Sequence, residues 1–457
     1  MKKIICILCV IMVLTAFTGC GREKEGAISA ELTEDLDKST GNGVKISQID
    51  EGEAPMDMQQ KLQALDGLVE GDIFKDFIWK GPYINAGSYQ RVTGPNATAA
   101  GAARYLPNRI NHMVIDDLEH AVKAEMIVEL WGGHAGTADK RVRLNSNEWL
   151  SVPESEHVGA ESRHEYYYQF RYPKVDLPLE HIKEGNNILE FTCGGTVSWP
   201  QWGVYSVTFR IYYDQEKQHT TGNIVPLDNG GVIGDGHTFE VEVDGSPEQV
   251  MRVDYVGFYE DFDYNGDGIY DEWQCSYKYG EIKNNVGSSD ATPFSVKWDS
   301  TWVPDQKKEM KVAAIITNTD GISYVTNPLT DIRLERDTKS IMMYKTVNVP
   351  EKYGVNNQMS VLARLNIDAD LSKAEEAKLT IVTWNGAGTA SFELNANIIA
   401  NTLGKNHNYG IDEFSIPLEY IREGANYFVI RAVPYHDNEH GVEALWPGAV
   451  IKVMYPK

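Results

Sequence analysis

The chain has 457 residues, of which 42% are hydrophobic and 24% charged, as is typical of folded globular proteins. Its 66 acidic residues outnumber its 42 basic residues, which gives a formal net charge of −24 at pH 7. That charge argues against a basic face for nucleic acid or for an anionic membrane, so no nucleic-acid partner is expected. The length predicts about three domains.

Residues 1–20 form a distinct first segment. Lys2 and Lys3 precede an apolar run that is too short for an ordinary membrane-spanning helix, and Cys20 follows it. The pattern resembles a bacterial lipoprotein signal peptide, with Phe17 where that family usually has Leu. The resemblance implies that Cys20 is lipidated and that this lipid is the protein's only membrane contact, on the outer side of the bacterial cell envelope. An ordinary signal peptide is the alternative.

Residues 21–70 are acidic and polar, and they predict a flexible tether. Beyond this tether only Cys193 and Cys275 remain, and they fall in different predicted domains. A disulfide framework is therefore not expected, and both cysteines are expected to pack as small apolar residues.

Residues 71–236 predict a first β-sandwich. The run from Met126 to Trp131 reads as a strand that ends at the Gly132-Gly133 turn. Residues 165–172 are rich in Tyr and Phe, a composition favoured in strands. Because many short strands alternate with Gly, Asn and Pro turns and no long amphipathic helix is present, the pattern favours a sandwich or a jelly roll.

Residues 237–338 predict a second sandwich. Thr238 to Val243 alternates between apolar and polar residues, and two strands near residues 310–326 are joined through a Thr-Asp-Gly turn. The sequence PFSVKWDSTWVPDQ, followed by MKVAAIITNTDGISYVT, resembles bacterial immunoglobulin-like modules. The resemblance implies an immunoglobulin-like spacer of the kind found in secreted polysaccharide-acting proteins, here with an acidic loop insertion.

Residues 339–457 read as a shorter version of the first domain. Ile416–Ile430 (IPLEYIREGANYFVI) aligns without a gap to Leu177–Phe191 (LPLEHIKEGNNILEF). Upstream of these two segments, Ala377–Gly386 (AKLTIVTWNG) matches Ala124–Gly133 (AEMIVELWGG). Self-similarity of this kind predicts two copies of one module.

Together these features predict an all-β chain with two related jelly-roll or β-sandwich domains separated by an immunoglobulin-like β-sandwich. The layout resembles galactose-binding-like jelly rolls and carbohydrate-binding modules on bacterial surface proteins. That resemblance implies a glycan or polysaccharide as the partner. Which glycan is bound, and the oligomeric state, stay open at this point.

The acidic loop at residues 263–272 (DYNGDGIYDE) resembles the calcium loop D-x-[DN]-x-[DN]-G, in which oxygens at alternate positions surround a hard cation. Gln274 stands where a bidentate Glu is expected, and Glu272 or Asp261 would have to compensate. A plain acidic hairpin is the alternative, because Asn-Gly and Asp-Gly favour turns without metal. The predicted ligands of a structural Ca²⁺ are Asp263, Asn265, Asp267, Ile269, Asp271 and Glu272.

Sugars present flat C–H faces to aromatic rings, and their hydroxyls need polar partners nearby. On that chemistry we predict a ligand site in each related domain. Residues that recur in both domains, Trp131 with Trp384 and Trp202 with Trp446, have scaffold packing as their alternative. The candidates are Trp131, His134, Asn145, Trp149, Trp199 and Trp202 in the first domain, and Trp384, Asn395, His436, His440, Glu443 and Trp446 in the last.

His436 and His440 have the spacing of a metal-binding pair on a helix. Pro434 before them and Gly441 after them favour a loop instead, so polar contacts are the expected role. The chain also lacks a nucleophile elbow, a phosphate loop and a recognisable Cys–His spacing.

These features lead to a non-catalytic, glycan-binding lipoprotein of the cell surface, accessory to polysaccharide capture or breakdown. One alternative is a polysaccharide-degrading enzyme, a glycoside hydrolase or lyase, with paired carboxylates in a groove of the first domain. The other is a structural or adhesive surface protein.

Overall fold

The computed structural model describes most of residues 68–457, which belong to one compact unit. The predicted signal peptide, Cys20 and almost all of the tether lie outside the described residues. Residues 165–171 of the predicted aromatic strand also lie outside them. The described ranges are 68–81, 89–134, 136–153, 172–228, 230–266, 269–348, 354–355, 357–434, 437, 441–444 and 449–457.

The first domain is a sandwich of two antiparallel sheets. Its strands are β1 (Ile73–Lys80), β2 (Gln90–Thr93), β3 (Asn111–Ile115), β4 (Ala121–Trp131), β5 (Thr137–Leu144), β6 (Leu150–Ser151), β7 (Lys174–Leu177), β8 (Gly185–Gly195) and β9 (Gln201–Tyr213). One sheet has the order β1-β9-β4-β7 with β2 beside β9, and the other has the order β3-β8-β5-β6. Val128, Phe191 and Phe209 are buried between the two sheets.

The middle domain is a second sandwich. Its strands are β10 (Gly222–Ile224), β11 (Val232–Ile233), β12 (Thr238–Val243), β13 (Val250–Glu260), β14 (Asp271–Gln274), β15 (Ser276–Lys278), β16 (Glu281–Lys283), β17 (Gly287–Ser289), β18 (Ser295–Lys297), β19 (Met310–Asn318), β20 (Ile322–Val325) and β21 (Leu329–Leu334). The small sheet β10-β12-β18 packs on the sheet that contains β13, β19 and β21. Phe239, Tyr255 and Ile316 lie in the core between them.

The first and middle domains share one continuous sheet. β1 pairs with β9 on one side and with β20 on the other, where Ile73 lies opposite Tyr324. Beside this junction the guanidinium of Arg210 is buried, and it donates two hydrogen bonds of 2.8 Å to the carboxylate of Asp76. The paired strands leave no hinge between the two domains at this edge.

The last domain is a third sandwich. Its strands are β22 (Lys339–Asn348), β23 (Gly354–Val355), β24 (Ser360–Ile367), β25 (Glu376–Trp384), β26 (Thr389–Leu394), β27 (Asn397–Ala400), β28 (Tyr409–Ile416), β29 (Gly424–Ala432), β30 (Val442–Ala444) and β31 (Val450–Pro456). The orders β22-β31-β25-β28 and β24-β29-β26-β27 match, strand for strand, the two orders of the first domain. β22 also pairs with β24, which joins the two sheets at one edge.

The helical content of the described residues consists of short 3₁₀ turns, so the prediction of an all-β chain built from β-sandwiches is confirmed. No helix in this part of the chain is long and apolar enough to cross a membrane. Cys193 and Cys275 are buried free thiols, as expected. The 3₁₀ turns are Ala102–Tyr105, Leu179–His181, Pro247–Gln249, Leu371–Lys373, Gly386–Gly388 and Leu418–Tyr420.

Two asparagines brace the hairpin between β5 and β6. Asn145 opens the turn in the left-handed region, with φ of 50°, a conformation that Asn tolerates well. Its Nδ2 donates to the carbonyl of His181 and to Oδ1 of Asn187, each at 2.8 Å, and its Oδ1 accepts from the backbone N–H of Ile188 at 2.9 Å. The turn is thereby tied to the segment that leads into β8.

The hairpin between β26 and β27 has the same network. Asn395 has φ of 49°, and its Nδ2 donates to the carbonyl of Tyr420 at 2.9 Å and to Oδ1 of Asn426 at 2.7 Å. Its Oδ1 accepts from the N–H of Tyr427 at 3.0 Å. The motif shared by residues 177–191 and 416–430 is therefore a structural brace, with Asn187 and Asn426 as its buried members.

We expect Asn187→Ala to lower the free energy of unfolding by about 2–4 kcal/mol, because it leaves several buried partners without hydrogen bonds. The Asn187 amide accepts from Asn145 Nδ2 and from the N–H of Lys183, and it donates to the carbonyls of Lys183 and Gly185. Denaturant titration of both chains measures the change.

The neighbouring Asn186→Ala is the matched control, because Asn186 is exposed. A change below about 1 kcal/mol is expected there. Equal losses in the two variants would show that the brace adds no stability.

Candidate functional site

The tryptophans predicted as possible sugar platforms divide by burial. Trp131, Trp202 and Trp384 are 3%, 0% and 1% exposed, so none of them offers a ring face to a ligand. Trp202 lies in the core of the first domain, edge-on to Phe191, and its indole donates to the carbonyl of Thr192 at 3.2 Å. In this structure these three residues pack as the scaffold alternative describes.

Trp131 at the end of β4 and Trp384 at the end of β25 stack on each other across the first and last domains. Their ring centroids are 4.6 Å apart, and the ring planes differ by 11°. The Trp131 indole donates to Glu443 Oε2 at 2.8 Å, and the Trp384 indole donates to the hydroxyl of Tyr205 at 2.7 Å. Each indole is thus satisfied by a residue of the opposite domain.

The strand registers show how one position serves two purposes in the two domains. Trp131 lies opposite Gly203, whereas Trp384 lies opposite Glu443. A Cβ at Gly203 would lie 2.2 Å from Cδ2 of Tyr89, so glycine is needed there to admit the Tyr89 ring beside the stack. At the equivalent position, Glu443 instead extends its side chain to Trp131.

The same registers correct one equivalence that the sequence predicts. The residue before Gly203 is Trp202, and the residue before Glu443 is Val442, so the position equivalent to Trp202 holds Val442 and not Trp446. Trp446 itself lies outside the described residues, as do His436 and His440.

Glu443 is a buried carboxyl in this interface. Burial raises its pKa well above 4.5, and the hydrogen bond from Trp131 opposes that shift. The Tyr89 ring beside it has its own pKa raised to about 12, again chiefly by burial. Glu443 is therefore an element of the domain interface and is not exposed to a ligand.

A second group of aromatic and polar side chains lies next to this stack and is only partly covered. We call it the Trp199 cluster, and its two aromatic members, Trp199 and Tyr105, have centroids 5.6 Å apart. His134 stands edge-on to Trp199 at 5.9 Å and edge-on to Trp131 at 6.0 Å. The members of the cluster are Arg91, Tyr105, His134, Trp199 and Gln201.

Four separate elements bring the cluster together. Arg91 lies on β2, Gln201 begins β9, His134 follows β4, and Tyr105 ends a 3₁₀ turn. Trp199 precedes β9 and lies against Gly101, where a Cβ would approach its Cζ3 to 3.3 Å. Because β2 pairs with β9, Arg91 and Gln201 are held side by side at one end of the sheet.

A chain of hydrogen bonds fixes the polar members. Arg91 donates through Nη1 to Gln201 Oε1, and Gln201 Nε2 donates to Nε2 of His134. His134 Nδ1 in turn donates to the carbonyl of Trp199 at 3.1 Å. Arg91 also lies over two rings, with its Cζ 4.7 Å from the centroid of Tyr105 and 5.7 Å from that of Trp199.

The cluster combines half-buried aromatic rings with positioned polar groups, which is the pattern of small-molecule and sugar sites. Sequence reasoning named Trp199 and His134 but missed Arg91, Tyr105 and Gln201. No spacing signal links them, because the strand pairing of β2 with β9 is what joins residues about a hundred positions apart along the chain.

Trp149 lies in a different setting. Its ring is half-buried under Arg143, whose Cζ is 4.4 Å from the ring centroid. Arg143 is itself paired with Glu190 through two hydrogen bonds of 2.9 Å. The amides of Asn145 and Asn395 are taken up by the hairpin braces, so these two residues also lie outside the Trp199 cluster.

The predicted calcium loop connects β13 to β14. Asp263 is 1% exposed, and its Oδ1 accepts from the N–H of Gly266 at 2.6 Å. Asn265 Nδ2 donates to Glu272 Oε2 at 3.1 Å, while Asp271 pairs with Lys308 at 2.7 Å. Ile269 is among the described residues, and Asp267 lies outside them.

Asp261, just before the loop, forms a buried ion pair with Lys452 of the last domain. The acidic insertion thus packs against the last domain through Asp261.

Two other surface features of the described residues differ from the Trp199 cluster. His120, Asp214 and Glu216 bring three ligand atoms within 4.8 Å of one another, but acidic groups at a protein surface commonly gather without a metal. A shallow depression of about 560 Å³ is lined by residues 122–124 and 176–180 and contains no aromatic side chain. Neither feature has the stacking chemistry of the Trp199 cluster.

Comparisons with known proteins identify no family. No family model and no curated protein matches the chain. Among solved structures, a β-porphyranase of glycoside hydrolase family 86 from the human gut bacterium Bacteroides plebeius is similar at 13% identity with a TM-score of 0.21, over 49% of this chain and 35% of that one. The chain thus spans 35% of the length of that hydrolase.

Two smaller proteins are similar over more of their own length. Carbohydrate-binding modules of the β-sandwich superfamily match at 12% identity and a TM-score of 0.15, over 52% of this chain and 96% of that one. Fibronectin(III)-like modules of Clostridium thermocellum CbhA match at 14% identity and a TM-score of 0.14, over 49% and 89%. At such scores the similarities say nothing about activity.

The free energy of unfolding of the parent chain should fall as the pH rises, because Glu443 is buried. We expect this fall to be smaller in Glu443→Gln. Above its ordinary pKa of 4.5 the carboxyl ionises in the unfolded chain but stays protonated in the folded one, because burial raises its folded pKa. Each pH unit in that window costs up to about 1.4 kcal/mol, until the raised pKa is passed. Denaturant titrations from pH ~4.5 to ~8 compare the two chains.

Glutamine does not titrate, and its carbonyl still accepts from the Trp131 indole. Glu180→Gln is the matched control for the removal of one carboxyl group, because Glu180 is exposed. Parallel pH profiles for the parent chain and the Glu443→Gln variant would contradict the assignment.

Proposed function

We propose that this protein is a non-catalytic glycan-binding protein of the bacterial cell surface, and that the Trp199 cluster is its binding site. The observation that carries the proposal is the pairing of half-buried Trp199 and Tyr105 with the fixed polar groups of Arg91, His134 and Gln201. The rings would stack on the C–H face of a sugar, and the polar groups would orient its hydroxyls.

The surroundings of the cluster favour binding over hydrolysis. Glycoside hydrolysis requires two carboxyl groups on either side of the bond that is cleaved. In the described part of the chain, no hydrogen bond or ion pair joins Arg91, Tyr105 or Trp199 to a carboxylate. The nearby Glu443 is buried and engaged with Trp131.

The first and last domains would be two copies of one module with different roles. Their matching strand orders and identical asparagine braces support a common origin. Arg91 lies opposite Gly203, and the residue opposite Glu443 is Gly354, so the last domain has no arginine at this position. In our proposal the first domain binds the glycan and the last domain supports it.

The remaining parts of the proposal concern attachment. Residues 1–20 would be a lipoprotein signal that ends in lipidated Cys20, and residues 21–70 would be a tether that holds the folded part away from the membrane. The middle domain would act as a spacer, and its sheet pairing through β1 and β20 would keep it rigid against the first domain.

We also propose that the loop at residues 263–272 binds a structural Ca²⁺. Buried Asp263 and the amide of Asn265 next to Glu272 supply the hard oxygen ligands that calcium prefers. The ion would fix the insertion where Asp261 meets Lys452 of the last domain.

We expect Trp199→Ala to weaken polysaccharide binding at least about tenfold, since a stacked ring contributes about 0.5–1.5 kcal/mol in addition to the apolar area that it buries. Trp199→Phe should retain most of the affinity, because it keeps a ring in place. Affinity electrophoresis of the full chain in gels that contain single polysaccharides measures both variants.

Trp149→Ala is the matched control, since Trp149 is a half-buried tryptophan of the same domain outside the cluster. Its binding should equal that of the parent chain. If Trp149→Ala loses affinity and Trp199→Ala does not, the binding site lies near Trp149 and the assignment of the Trp199 cluster is wrong. Release of reducing ends by the parent chain would show that the protein is an enzyme.

We expect saturating Ca²⁺ to raise the melting temperature relative to EDTA, by an amount that corresponds to about 2.7 kcal/mol at a hundredfold excess over Kd. Asp263→Asn should abolish this response. It keeps a side-chain oxygen that can accept from Gly266 N–H, so the turn survives while the charge is removed. If the melting temperature is the same in EDTA and in Ca²⁺, the loop at residues 263–272 is a hairpin that does not bind calcium.

A further inference from the structure

We propose that the sugar bound by the Trp199 cluster is acidic, and that its carboxylate or sulfate group is held by Arg91 together with Arg104. This inference rests on the proposed function and narrows the class of ligand. It is carried by two arginines that gather around one aromatic ring without any acidic partner among the described residues.

Both guanidinium groups lie near the ring of Tyr105. The Cζ of Arg91 lies 4.7 Å from the centroid of Tyr105, and the Cζ of Arg104 lies 4.9 Å from the same centroid. The two positive charges are therefore within about 10 Å, one Debye length at ~0.1 M salt, and they repel each other. An anion bound between them would relieve that repulsion.

Neither arginine forms an ion pair with a carboxylate in the described part of the chain, although acidic residues outnumber basic ones by 66 to 42. Six other arginines of the described residues have a carboxylate within 3.0 Å, whereas Arg109 and Arg422 have none. These pairs are Arg141 with Asp139, Arg143 with Glu190, Arg210 with Asp76, Arg252 with Asp254, Arg336 with Asp235, and Arg431 with Glu393.

Arg91 is also held in place for a ligand. Its Nη1 donates to Gln201, and the Gln201 amide is fixed in turn by His134, whose ring donates to the carbonyl of Trp199. The other N–H groups of Arg91 have no hydrogen-bond partner among the described residues. A planar fork with two free donors fits the two oxygens of a carboxylate or of a sulfate ester.

The position of this fork suits a sugar that lies on the rings. Arg91 Cζ is within 6 Å of the centroids of both Tyr105 and Trp199, so a pyranose stacked on either ring would bring its substituents to the guanidinium. A neutral sugar would leave the charge of Arg91 without a counterpart in a site that is half closed to water.

The experiment measures binding of the full chain to matched pairs of polymers. One pair is polygalacturonate and its fully methyl-esterified form, which tests a carboxylate. The other pair is κ-carrageenan and agarose, which tests a sulfate ester on a related backbone. The parent chain should bind one acidic polymer at least about tenfold more tightly than its neutral counterpart.

Arg91→Gln should remove this preference, and Arg91→Lys should restore only part of it, because lysine keeps the charge but loses the fork. Arg104→Gln, at an exposed residue, should weaken binding less than Arg91→Gln does. Arg143→Gln is the matched control and should bind as the parent does, since Arg143 also lies over a tryptophan but is paired with Glu190.

Non-specific electrostatic attraction would not produce a preference for the acidic polymers, because the chain carries a net charge of −24 and should repel a polyanion. Equal binding of acidic and neutral polymers, or an unchanged preference in Arg91→Gln, would overturn this inference and leave the proposed glycan site standing. Failure of the parent chain to bind any of the four polymers, or binding that Trp199→Ala leaves unchanged, would overturn both.

Discussion

The stack of Trp131 on Trp384 is the interaction on which the arrangement of the domains depends. Each indole covers the face of the other, and each donates its N–H to the opposite domain, to Glu443 or to Tyr205. Separating the two domains would expose both rings and leave two buried polar groups unpaired, which makes partial opening costly. Trp131 and Tyr205 of the first domain lie in the same hydrophobic core as the buried residues of the last domain. The interface is therefore a continuation of that core.

The same stack sets the geometry of the candidate site. Trp131 contacts the edge of His134, and His134 contacts both Trp199 and Gln201, so the position of the ligand-facing groups follows from the packing of the two domains. Tyr89 links the two regions from the other side, since it lies beside Trp131 and under Arg91. If the cluster binds a ligand as we propose, its groups are already held in place, which lowers the entropy cost of binding.

The sequence predicts the all-β class, because many short apolar runs between Gly, Asn and Pro turns are typical of sandwiches and barrels. It also identifies the segments that carry the asparagine braces, although the brace itself becomes visible only when Asn145 and Asn187 are seen in contact. It fails where strands are paired out of sequence order. Alignment matches Trp202 to Trp446, whereas the register matches Trp202 to Val442, because β9 is continuous and its counterpart is divided into β30 and β31.

The first and last domains differ at the positions next to the stacked tryptophans, and in our proposal this is why the first domain carries the site. At the position opposite the stacked tryptophan, the first domain has Gly203, which admits Tyr89, and the last domain has Glu443, which reaches across to Trp131. On the neighbouring strand the first domain has Arg91 and the last has Gly354. At these two positions the first domain thus has the half-buried Arg91 beside Gly203, and the last domain has Gly354 beside a glutamate that contacts the first domain.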